Sequence, residues 1–161
     1  MKKIWILMIL IVGCNSKSCN LDKIAGTLGA FQKWSFAISE MQMEKGIENL
    51  YTQNPNCRIP EKWVHLDDWK QGGYGFLNGK IFYFEDQPEE MYFVSYYEGS
   101  MDSQDVLVIS VRAVNNGSSW STVDDFRFRE PEQKRIDNRF HEEIIKKLEK
   151  LLNVKAQKYK P

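Results

Sequence analysis

Tyr74-Gly75-Phe76-Leu77-Asn78-Gly79-Lys80-Ile81-Phe82-Tyr83-Phe84 is the stretch of this 161-residue chain that decides its fold class. Aromatic and branched residues flank Asn78-Gly79, a pair suited to the two positive-φ positions of a type I′ turn, so the stretch predicts a β-hairpin. Residues 91–97 and 106–114 read as further strands, separated by polar turns at 86–90 and 99–104. Asn115-Asn116-Gly117-Ser118 turns the chain again, and a last candidate strand lies near residues 120–128. Short connections require antiparallel neighbours, so a meander of four to five strands is the simplest topology.

Helical periodicity flanks this region on both sides. Leu21, Ile24, Leu28 and Phe31 recur at spacings of three or four, as do Met43, Ile47, Leu50 and Tyr51, which predicts an N-terminal helical segment over residues 21–53. Asn20 suits its N-cap, and Asn54-Pro55-Asn56 ends it. The middle, from 34 to 43, is apolar on more than one side and implies contact with more than one layer. At the other end, Ile136, Phe140, Ile144, Leu148 and Leu151 form one apolar stripe, widened by Ile145 and Leu152, on an amphipathic helix that must pack on the sheet. Pro131 starts this helix or lies just before it. The order helices, strands, helix predicts an α+β fold: an N-terminal helical segment, an antiparallel β-meander and a C-terminal amphipathic helix.

The strands are apolar on both faces. Alternation places Leu107, Ile109, Val111 and Ala113 on one side, and Val106, Val108, Ser110, Arg112 and Val114 on the other. Such a sheet is either covered on both sides, with the N-terminal segment on one face and the C-terminal helix on the other, or it presents one face to a partner. Tyr83, Tyr92, Tyr96 and Tyr97 are the candidate partner surface, because tyrosine suits sites where one end of a ring is buried and the other wet.

The first residues carry an address. Lys2 and Lys3 precede an apolar run from Ile4 to Val12, followed by Gly13 and Cys14. This is the pattern of an export signal, and the run is too short for a membrane span of roughly 20 apolar residues. Leu10-Ile11-Val12-Gly13-Cys14 resembles the lipobox of bacterial lipoproteins. The resemblance covers residues 1–14 only. It implies cleavage before Cys14, lipidation of its sulfur and a protein anchored in the bacterial envelope, facing the periplasm. Asn15 lacks the aspartate that retains such proteins at the inner membrane in enteric bacteria, which points to the outer membrane. The expected organisation is a signal peptide over 1–13, a lipidated tether over 14–20, a single α+β domain over 21–155 and a flexible tail over 156–161.

Removing Lys2 and Lys3 from 22 basic and 22 acidic residues leaves 20 against 22, a formal charge of −2. This offers no basic field, so nucleic acid is not an expected partner. With Cys14 lipidated, Cys19 and Cys57 remain as a pair that an oxidising compartment permits to bond, or as two free thiols.

Chemical motifs are sparse. His65, Asp67 and Asp68 are the one local group with acid/base or metal potential; the blander reading is a polar loop that Trp63 and Trp69 anchor. His141 reads as a solvated helix-face residue. Glu89-Glu90, Asp67-Asp68 and Asp124-Asp125 read as solubilising pairs. Gly72-Gly73-Tyr74-Gly75 precedes a strand and not a helix, so it reads as a bend and not as a phosphate loop. No nucleophile motif is present, and neither a catalytic residue, a metal nor a cofactor is expected. The leading expectation is a membrane-anchored, non-enzymatic protein-binding module whose partner is another envelope protein or a toxin. The alternative is a small-molecule or lipid-binding module with a pocket between helix and sheet, lined by Phe82, Phe84 and Phe93.

Overall fold

The fold is α+β in a computed structural model that describes residues 29–125 and 128–160. Cys14, Cys19, the apolar run before them and the Asn20 cap lie outside the described residues. Among those described, no helix is long and apolar enough to cross a membrane.

The first departure from expectation is β1 (Trp34–Phe36), a strand inside the stretch predicted to be helical. All three of its residues are buried. A segment apolar on every side is what a strand covered on both faces requires, so the feature that suggested a multiply packed helix belongs to a strand. The helix α1 (Glu40–Gln53) begins only afterwards. Ser39 caps it, accepting from the Gln42 N–H, while the Gln42 side chain accepts from the Ser39 N–H at 2.9 Å. Met43, Ile47, Leu50 and Tyr51 form its buried face, as their spacing predicts.

The connector 54–77 winds through short 3₁₀ turns at Pro55–Cys57 and Glu61–Leu66 and a π turn at Lys70–Tyr74. Gly73 takes φ 92° in that π turn, so the glycine-rich run is a bend, leading into β2 (Asn78–Phe84). The predicted Asn78-Gly79 hairpin does not form, since both residues already lie within β2. Gly79 serves another purpose there. A Cβ at this position would stand 2.5 Å from the ring of Phe93, so glycine lets that ring lie across the strand.

The true turn between β2 and β3 (Glu90–Met101) spans residues 85–89 and contains a cis Gln87–Pro88 peptide. The next hairpin has the tight geometry expected earlier in the chain. Asp102 and Ser103, at φ 51° and 63°, join β3 to β4 (Gln104–Asn115), with Met101 paired to Gln104. Both strands therefore run longer than their hydrophobic pattern suggests. A short β5 (Trp120–Thr122) pairs with β4. The strand order is β2-β3-β4-β1, with a final β6 (Gln157–Lys158) on the far side of β1, so the meander is completed by strands from the two ends of the described chain. Residues predicted to fray thus include two that pair with Trp34 and Ser35.

One inserted residue rearranges the sheet faces. Phe93 pairs with Ala113 but Val94 pairs with Val111, which makes Arg112 a bulge on β4. Because side chains alternate with period two, a single extra residue reverses the alternation beyond it. Val114 consequently packs with Leu107, Ile109 and Val111 beneath the helices, and Ala113 crosses to the opposite face.

The C-terminal helix runs as α2 (Glu130–Phe140), a π turn at His141–Ile145 and α3 (Lys146–Leu152). Pro131 sits in its first turn. Ile136, Phe140, Ile144, Ile145 and Leu148 are buried in one cluster with the α1 face and with Phe82, Phe84 and Tyr92. Each of the larger side chains contributes about 1.5–3 kcal/mol by leaving water. Both helices therefore cover the same face of the sheet, not one each. The opposite face, at the β2–β3 end, is covered by the connector, whose Trp63, Leu66 and Trp69 pack on Ile81, Tyr83 and Phe93.

Candidate functional site

A groove of about 430 Å³ wraps the outer side of β2, between the connector and α1. Its floor is aromatic. Trp69 stacks on Phe93 with centroids 3.9 Å apart and planes 8° from parallel, and Tyr74 and Trp120 meet Trp69 edge-on at 5.4 and 5.0 Å. Trp120 in turn donates its indole N–H to the Leu66 carbonyl at 2.8 Å, which ties β5 to the connector. Trp69 is only 8% exposed, yet its own indole N–H has no acceptor among the described residues. A buried donor without a partner is costly, by about 1–3 kcal/mol.

The rim is charged. Glu48 on α1 holds Lys80 at 3.2 Å and Arg58 at 3.3 Å, and the hydrogen bond from Lys80 is the main cause that holds the Glu48 carboxyl below its usual range. Arg58 also lies over the ring of Tyr51 at 4.5 Å. Lys70 and Asp67 complete the rim. Tyr51 is fixed at the strand edge, donating its hydroxyl to the Ile81 carbonyl at 2.7 Å, and burial pushes its phenol well above the ordinary value. Cys57, beside it in sequence space of the connector, is a free, buried thiol whose pKa burial raises. The expected Cys19–Cys57 pair involves a residue outside those described, and burial of the Cys57 thiol disfavours its thiolate.

The four tyrosines singled out as a partner surface do not make one. The strand pleat sends Tyr92 and Tyr96 beneath the helices, where their hydroxyls meet Glu90 at 3.0 Å and Glu44 at 3.3 Å. Tyr83 belongs to the opposite face, packs edge-on with Trp63 at 5.5 Å and bonds Glu89. Tyr97 lies partly exposed near Lys33 and Arg112. The expected pocket between helix and sheet is also missing at Phe82 and Phe84, which are 0% and 3% exposed in the filled core, Phe82 against Tyr51 and Phe84 against Tyr92. Phe93 alone of that trio lines a hollow, on the other face.

His65, Asp67 and Asp68 are exposed, and only Asp67 borders the groove. Among the described residues, no group of three or more histidine, cysteine, aspartate or glutamate residues is arranged to hold a metal. His141 departs from its predicted solvated position, stacking on Trp34 with centroids 4.4 Å apart. Glu90 departs further: it is 4% exposed, not a solubilising residue, and takes two guanidinium groups. Arg135 reaches it through Nη1 at 3.0 Å and through Nη2, and Arg139 adds a contact at 3.3 Å. The sequence reading did not pick out Glu48, Arg58 or Lys70. They come from three separate elements, and the sign of their convergence in the sequence was the pair of connector tryptophans, Trp63 and Trp69.

No protein family, curated protein or solved structure matches this chain.

Proposed function

We propose that this protein is a non-enzymatic binding module, lipid-anchored at Cys14 in the bacterial envelope, with its domain in the periplasm on the outer membrane. Its partner is another protein, an envelope component or a delivered toxin. The observation that supports binding is the groove at β2, an aromatic floor bordered by cations at an unpaired strand edge. Aromatic rings beside arginine suit such a site, since aromatic anchors and arginine dominate protein interfaces. The lipobox resemblance supplies the address, because a lipidated cysteine holds a domain at a membrane surface.

A photo-crosslinking amino acid placed at Phe76, which is 58% exposed beside this region, tests the reading in cells that make the full-length chain. The expected result is a discrete adduct with one envelope or toxin protein, together with a triacylated or diacylated Cys14 by mass spectrometry. Absence of any adduct from Phe76 and from a series of positions around the whole surface overturns it.

The second reading is a small-molecule binder. Its support is the size of the groove, which lies in the range of roughly 300–1,000 Å³ common to ligand sites. A ligand of that kind would co-purify with the full-length protein and appear in native mass spectra.

A further inference from the structure

β2 is an end strand among the described residues, where it pairs with β3 and with no other strand. Tyr51 approaches from the outer side and takes the Ile81 carbonyl. In an antiparallel pair, main-chain groups of alternate residues point the same way, so Gly79 and Ile81 both turn their N–H and C=O outward. Outside the sheet ladder, the one hydrogen bond to these groups among the described residues is that from Tyr51 to the Ile81 carbonyl. Both residues line the groove. An unpaired edge beside a hollow is a template for another strand.

Resting on the reading above, we propose that the groove receives an extended segment of the partner protein, added as a strand along the edge of β2 at Gly79 and Ile81, where a backbone N–H of the segment displaces the Tyr51 hydroxyl from the Ile81 carbonyl. The pleat prescribes the segment's pattern. Alternate residues would fall on the opposite-face side, against Trp69, Phe93 and Ile81, and these must be apolar. Those between them would fall on the α1 side, beside Lys80 and Arg58, and these are acidic. The rim carries Arg58, Lys70 and Lys80 against Glu48 and Asp67, one positive charge in surplus, and an incoming carboxylate competes with Glu48 for two of the three cations. Gly79 contributes by keeping the edge low, since any side chain there displaces the Phe93 ring from the floor.

The test uses full-length protein in detergent micelles and a phage-displayed library of random heptapeptides. Selection is expected to enrich peptides that alternate apolar and acidic residues. At saturation, an enriched peptide should slow amide exchange at Gly79 and Ile81 at least tenfold. N-methylation of its alternate backbone amides should weaken binding at least tenfold, a change that leaves the protein untouched, and Lys70→Glu should weaken it severalfold. Enrichment without alternation, binding that leaves the Gly79 and Ile81 amides unprotected, or indifference to N-methylation each overturns strand addition. Concentration-dependent protection of the same amides without peptide also overturns it, by showing that a second copy covers the edge. The two proposals fail separately: a cellular adduct formed only at positions away from the groove removes this one and leaves the binding module standing, whereas edge binding of peptides with no cellular adduct does the reverse.

Discussion

At the residue scale, Glu90 shows how a carboxylate survives burial. Two guanidiniums and the Tyr92 hydroxyl saturate it, and Arg139 extends the network by donating to the carbonyls of Pro88 at 2.6 Å and Asp86 at 3.0 Å. The network pins α2 to the β2–β3 turn. Removing one partner of a buried pair strands the other charge, so Glu90→Ala is expected to cost about 3 kcal/mol in denaturant unfolding, the low end of the usual range because Arg135 keeps Glu132. Asp137 has the opposite character. Burial pushes its carboxyl above the usual range, against the backbone N–H of Gln32 at 2.8 Å and the charge of Lys158. With the folded pKa raised, the native state holds the proton longer, so this group's contribution is most favourable below the ordinary carboxylate pKa. It is lost as pH rises through the raised value. Asp137→Asn keeps an acceptor for Gln32 and removes the charge. Melting temperatures from about pH 4 to about pH 7 should therefore fall less steeply for the variant.

At the scale of elements, α1 depends on the reciprocal cap between Ser39 and Gln42, and Ser39→Ala is expected to lower stability by about 1 kcal/mol. Gly79→Val forces the Phe93 ring off the strand and unstacks Trp69; about 1–3 kcal/mol of overpacking cost and a loss of near-ultraviolet aromatic dichroism should follow. Elements whose signal is periodic and local were legible in the sequence: the C-terminal stripe, the buried face of α1, and the core of β3 and β4. What escaped was set by distant partners. β1 is three residues long and owes its extended form to β4 and β6, and a pattern without periodicity fits a buried strand and a buried helix equally. Asn78-Gly79 has the composition of a hairpin turn, but the packing of Phe93 uses the glycine for clearance instead. The Arg112 bulge leaves no mark in a count of alternating residues. The groove was illegible for a related reason, because Glu48, Arg58, Lys70 and Lys80 converge only once the connector has folded over the edge of β2.

At the scale of the whole molecule, the helices share one face and the connector covers part of the other, so the groove sits where the two coverings leave a gap. If Cys14 anchors the domain as proposed, Cys14→Ser should move the protein from the membrane pellet to the soluble fraction while its melting temperature is unchanged. The placement of β1 has a kinetic corollary. Its neighbours are β4, far along the chain, and β6, near the last described residue, so β1 waits for later sequence before it can pair on either side. Such non-local pairing makes folding slow relative to a helical bundle of similar size. A nascent chain of this topology cannot close its sheet while its later residues are still being made. If the chain is exported as proposed, that delay keeps it pliable while it is threaded across the membrane.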